Sequence, residues 1–141
     1  MNALHPTEEQ TRAFLAHPKS GEPVFMLNLL KFKDRADYES GEDVSGREAY
    51  GRYARAFGEM LRDSGIEGVE TVFGGTANAV LIGEGEADGS PKWDAVALVR
   101  YPDAKTMFET VSSDAYRSIH FHRKAGLEGQ MLISCDGSGV F

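Results

Sequence analysis

A chain of 141 residues, 41% apolar and 26% charged, is long enough to bury a core without disulfide or metal staples, and its composition is neither disordered nor fibrous. A formal charge of −7 repels a phosphate backbone, and the densest basic cluster, Arg117 to Lys124, holds only three cations, so no nucleic acid partner is expected. Cys135 is the single cysteine, which rules out an intramolecular disulfide and fits a cytoplasmic setting. The polar segment Met1 to Gln10 lacks an export pattern, and no apolar run approaches the ~18 residues of a membrane span.

Thr7 and Gln10 have capping-box spacing and predict a short helix that Pro18 stops. From Val24 to Lys33 the chain is apolar at both alternation phases, as in a strand covered on both faces. Asp34 to Val44 reads as an exposed loop, free to close over a site or to remain plain surface. Ser45 and Glu48 form a second capping box, opening a helix whose apolar stripe runs from Ala49 to Leu61 and ends at Gly65. Gly51 and Gly58 within it mark either close backbone approach or tolerated exposed glycines.

Val69 to Phe73 and Ala77 to Ile82 are strand-like, divided by Gly74-Gly75, and read as one long strand bent at the glycines, with a hairpin as the alternative. After a turn at Glu84 to Lys92, Trp93 to Tyr101 is a strand, again apolar at both phases. Pro102-Asp103 ends it and caps a helix through Val111, and Ser112 to Asp114 restarts the chain as a helical segment to about Ala125. Leu127 to Cys135 is the last strand, ending in a buried cysteine.

The order strand, helix, strand, strand, helix, strand predicts an α+β, ferredoxin-like βαββαβ sheet with both main helices on one face. One domain is expected over 1–141: an N-terminal helix and loop at 1–22, the core at 23–135 and a glycine-rich tail at 136–141. Helices on one face leave the doubly apolar first and third strands uncovered on the other. A second copy of the chain is the simplest cover, giving a two-fold barrel with a pocket between each sheet and its helices.

The segments Met26-Leu27-Asn28-Leu29-Leu30-Lys31-Phe32, Glu48-Ala49-Tyr50 with Tyr53, Trp93-Asp94, Arg100-Tyr101-Pro102, His122-Arg123 and Ala125-Gly126-Leu127 resemble the dimeric α/β-barrel superfamily, in particular its small bacterial members of unknown function. That superfamily includes cofactor-free monooxygenases, muconolactone-type isomerases, ester-degradation accessory proteins and haem-handling enzymes. The resemblance therefore implies a fold and a pocket rather than a reaction.

Asn28 is the one polar residue within the apolar first strand and needs hydrogen-bond partners there, from ligand, water or neighbouring backbone. Tyr50 and Tyr53 are three apart on a helix, so both phenols reach one region, to orient an oxygen or to pack in the core. His120 and His122 are two apart and point to opposite sides of a helix, so they cannot share a metal ion. The resemblance makes His122, beside Arg123, the preferred general acid or base, against a histidine that only meets its helix dipole. Asp94 and Arg100 share one side of the third strand; Arg100 is a candidate for a carboxylate or enolate, or for a salt bridge, and Trp93 for stacking on a flat ligand or for a place in the core or an interface. No phosphate loop, dinucleotide fingerprint or nucleophile elbow occurs.

These residues lead to two expectations. One is a cofactor-independent oxygenase, isomerase or lyase acting on a small oxygenated compound. There His122 or Tyr53 moves protons, Asn28 and Arg100 hold oxygens, and Tyr50, Trp93, Asp94 and Arg123 surround the ligand. The other is a binding or accessory protein without chemistry, or a mainly structural homodimer. Neither expectation includes a cofactor or a metal.

Overall fold

A computed structural model describes residues 4–137 and Gly139. Residues 1–3 of the polar N-terminal segment, and residues 138, 140 and 141 of the expected tail, lie outside the described residues. The elements are α1 (Glu8–Ala16), β1 (Val24–Phe32), α2 (Gly46–Asp63), β2 (Glu70–Thr76), β3 (Ala95–Tyr101), α3 (Ala104–Ser112), α4 (Asp114–Gly126) and β4 (Leu127–Asp136). The strands form one antiparallel sheet in the order β2-β3-β1-β4, the ferredoxin-like arrangement expected from the order of elements. Among the described residues no helix is long and apolar enough to cross a membrane.

Alternation along β1 sorts the two faces of the sheet. Val24, Met26 and Leu30 are buried on the face where Ala104 of α3 and Tyr101 of β3 join the core, with Phe14 and Phe57 packed against it. Asp103 caps α3 by accepting from the Thr106 N–H at 2.6 Å, and Ser113 caps α4 by accepting from the Tyr116 N–H at 3.1 Å. Thr7 and Gln10 make both bonds of their capping box. Ser45 makes only its own half, because Glu48 turns instead toward Arg52, 3.8 Å away.

The close approach of backbones occurs at two other glycines than those expected. Gly51 and Gly58 meet only the ends of Arg55 and Arg62 side chains. A Cβ on Gly46 would stand 2.2 Å from the Lys33 carbonyl and 2.5 Å from that of Gly126, and a Cβ on Gly126 would stand 2.5 Å from the Gly46 carbonyl. The start of α2 therefore lies directly on the end of α4. Lys33 ties the crossing to the end of β1, donating its N–H to Gly126 and accepting from Gly46.

The expected bent strand ends early. β2 stops at Thr76, its bulge falls between Thr71 and Phe73 rather than at Gly74-Gly75, and Ala77 to Ile82 pairs with no strand. Leu81 and Ile82, which made that segment strand-like, are 95% and 93% exposed. Cys135 is exposed rather than buried; β4 is an edge strand, and Cys135 pairs with Phe25 of β1. The loop before α2 is held down, with Ala36 buried and its N–H on the Val44 carbonyl, and with the Asp37 N–H on the Ala125 carbonyl.

Candidate functional site

Between the sheet and the helices lies a cavity of about 1250 Å³, at the position expected for a pocket. Its floor comes from β1, β3 and β4. Its roof is made by Tyr50, Tyr53 and Phe57 of α2 and by Tyr116, His120 and Arg123 of α4, each set at i, i+3 or i+4, i+7 spacing and so on one helix face. The glycine crossing brings these two stripes together. Phe14, Met26, Val99 and Met107 form apolar walls.

One end of the cavity is polar, and its groups are bonded in series. Arg123 donates through Nη1 to His120 Nε2 at 3.1 Å, and through Nη2 to the Leu4 carbonyl at 2.8 Å and to Gln130 Oε1. Gln130 Nε2 donates to Asn28 Oδ1 at 2.6 Å. Asn28 Nδ2 donates in turn to the carbonyls of Met26 at 3.1 Å and Ala97 at 3.3 Å. Acceptance at Nε2 leaves the His120 proton on Nδ1. Burial, together with the charges of Arg123, His5 and Lys124, pushes the His120 pKa down to about 4, so the ring is neutral at physiological pH.

Beside this end stand four phenols. Tyr53 Oη and Tyr116 Oη share a hydrogen bond of 3.0 Å, with the Tyr53 and Phe57 rings stacked and Tyr116 edge-on to both. Burial raises the Tyr50 pKa to about 12 and also pushes those of Tyr53 and Tyr101 well above the ordinary phenol value. All three therefore remain protonated donors.

The structure brings Asn28, Tyr50, Tyr53 and Arg123 together in the cavity and puts the other expected site residues outside it. His122 points away from Tyr53. Its Nδ1 is 2.7 Å from Tyr38 Oη, Arg52 lies over the Tyr38 ring, and Arg52 makes two bonds to Glu42 at 3.0 and 2.6 Å. Asp94 closes the end of the sheet, accepting from the Phe32 N–H at 2.8 Å and from Lys31 Nζ at 3.4 Å. Arg100 lies opposite Phe25 and Glu70 on the far face of the sheet and donates to the Gly68 carbonyl at 3.0 Å. Trp93 sits in the connection before β3. Among the cavity residues that the sequence reading did not single out as site residues are Tyr101, Tyr116, His120 and Gln130. The spacing of Tyr116, His120 and Arg123 was the available signal, because it puts His120 rather than His122 on the stripe with Arg123.

No family model matches the chain, and no curated protein does. Among solved structures, methylated RPA0582 is 31% identical, with 98% of this chain and 96% of that one covered and a TM-score of 0.81. A second structure of RPA0582, a protein of unknown function from Rhodopseudomonas palustris, is 29% identical over 99% of this chain and 100% of that one, also with a TM-score of 0.81. A dimeric protein of unknown function with a ferredoxin-like fold from Bacteroides fragilis shares the fold at 12% identity, with 81% of this chain and 95% of that one covered and a TM-score of 0.51. Identity at this level over nearly the whole of both chains, on one fold, means that the chain belongs to the family of RPA0582.

Proposed function

We propose that this chain is a small-ligand-binding protein that works as a pair of identical copies, each holding its ligand between sheet and helices. The observation that carries this reading is the cavity of about 1250 Å³, apolar along its walls and polar at one end, the combination that small-molecule sites share. A thermal-shift screen of small oxygenated metabolites tests it. Ligands should stabilise the protein, and Ser134→Trp, which projects bulk into the cavity from β4, should abolish the shift. Shifts undiminished in that variant would move the site elsewhere.

Pairing is supported by the far face of the sheet. Register aligns Phe73, Leu98, Leu27 and Ile133 in one row across all four strands, with Val96, Leu29 and Met131 in the next. Phe73 is 59% exposed, and the helices pack on the opposite face. The dimeric structure from Bacteroides fragilis and the resemblance to the dimeric α/β-barrel superfamily point the same way. A clean monomer in sedimentation at micromolar concentration would end this part of the proposal. The free thiol of Cys135 accords with a cytoplasmic setting.

A second reading, conversion of the bound ligand by a cofactor-independent oxygenase, isomerase or lyase, is favoured by the Tyr53–Tyr116 pair. A proton passed between two bonded phenols can be delivered to a developing oxyanion. Metabolite assays on ligands found in the screen separate the readings. Loss of turnover with retained binding in Tyr53→Phe selects the enzyme, and binding without conversion selects the carrier.

A further inference from the structure

We infer that the ligand is an organic monoanion, a carboxylate on an aromatic or branched aliphatic body, with its charge seated at Arg123. This inference rests on the cavity being a ligand site and adds the chemical class that the site takes.

Among the described residues, the hydrogen-bond partners of the Arg123 guanidinium are all neutral: His120 Nε2, the Leu4 carbonyl and Gln130 Oε1. Among the described residues no carboxylate lies within salt-bridge distance of it. The acidic group that lines the cavity, Asp136, is six residues from Gln130 along β4, about 20 Å at the usual rise of a strand. Dipoles thus solvate the cation without neutralising it.

The network is also polarised in one sense. Gln130 turns its oxygen to Arg123 and its nitrogen to Asn28, and Asn28 spends its own nitrogen on backbone carbonyls. Every amide in the series therefore holds the guanidinium in place while adding no negative charge. A partly buried cation facing apolar walls is costly unless an anion completes it, and a guanidinium offers two parallel N–H groups that match a carboxylate.

The phenols supply the remaining donors. Among the described residues, Tyr50 and Tyr101 line the cavity and their hydroxyls make no hydrogen bond to another side chain or to the backbone, yet no buried side-chain polar atom is left unsatisfied. Both hydroxyls accordingly open onto the cavity space. Tyr50 and Arg123 line the same cavity, so a ligand seated at Arg123 has the Tyr50 hydroxyl as a further donor. The wall of Phe14, Phe57, Met26, Val99 and Met107 then receives a ring or branched chain rather than a polar body.

The test compares acids with their neutral amides on the full chain by calorimetry: benzoate against benzamide, phenylacetate against phenylacetamide, and 4-methylpentanoate against its amide, with inorganic phosphate as a fourth arm. The acids should bind at least about tenfold more tightly than the amides, and Arg123→Gln should remove that preference. Tyr50→Phe, which leaves the amide network intact, should weaken the acids several-fold and the amides less, because a hydrogen bond to a charged acceptor is the stronger one. If Arg123→Gln fails to fold, the Tyr50→Phe result and the acid-to-amide ratio in the unaltered chain still decide. Amides that bind as well as acids would overturn the anion inference while leaving the ligand site standing. Phosphate outcompeting every organic acid would overturn the carboxylate class, and absence of binding by every acid would overturn the inference outright.

Discussion

His120 and His122 are two residues apart on α4 and have opposite surroundings. His120 faces the cavity, bonded to a guanidinium that no described carboxylate neutralises. His122 faces outward to Tyr38, whose neighbour Arg52 is already matched by Glu42. The outer cluster is electrically complete and the inner one is not. Similar residue types, a histidine, an arginine and tyrosines, thus make a closed surface fastening on one side of a helix and an open site on the other. What separates them is the 100° step per residue of the α-helix.

The largest break in this contrast comes from the vertex that both clusters share. Gly46→Ala should lower the unfolding free energy in urea by about 3 kcal/mol or more, because its Cβ meets two backbone carbonyls that cannot turn aside. An unchanged midpoint would mean that the helices separate freely there. Next, Asn28→Leu leaves the Gln130 amide without its acceptor and should cost about 1–3 kcal/mol. Tyr38→Phe in the outer cluster should cost less, and equal losses would erase the inner–outer distinction.

A smaller effect appears in the pH dependence. In the unfolded chain His120 takes a proton near its ordinary 6.5, whereas in the folded chain it does so only at about 4. Between those values the unfolded state binds more protons, so stability falls as pH drops through that window. His122 is lowered as well, mainly by burial and then by Arg52, and adds in the same direction. His120→Gln, which keeps an acceptor for Arg123, should flatten the decline in melting temperature between pH 7 and pH 5 more than His122→Asn does. The smallest change is expected from Glu42→Gln. Its carboxylate is solvent-exposed, so any loss should disappear at high salt.

The fold was legible in the sequence because each main element announces itself through period and caps. Ser45, Asp103 and Ser113 start helices, and β1 and β3 are marked by runs of apolar, β-favouring residues. The segment Ala77 to Ile82 misled for the same reason. Its alternation and its Leu-Ile pair look like a strand, yet only the partner strand decides pairing, and β3 runs out at Ala95. Asn28 and Tyr53 were legible as site candidates because their own strand and helix fix their direction. His122 was chosen by resemblance and Trp93 by type, while strand parity put Asp94 and Arg100 on one side of the third strand without fixing which side meets the helices; Arg100, opposite Phe25, lies on the other face. The glycine crossing left little trace in the sequence: Gly46 and Gly126 sit at helix ends, where glycine ordinarily reads as a terminus rather than as a contact.

That crossing also determines where the molecule can change. With backbone on backbone at Gly46 and Gly126 and Lys33 bonded to both, α2 and α4 are joined like the arms of a compass at a hinge pin that admits no shim. Ligand preference in relatives, or in redesigned variants, should therefore diverge through residues far from the pin, such as Phe57, Met107 and the open end of β4. Near the pin even one added methyl group would shift both arms and the cavity floor together.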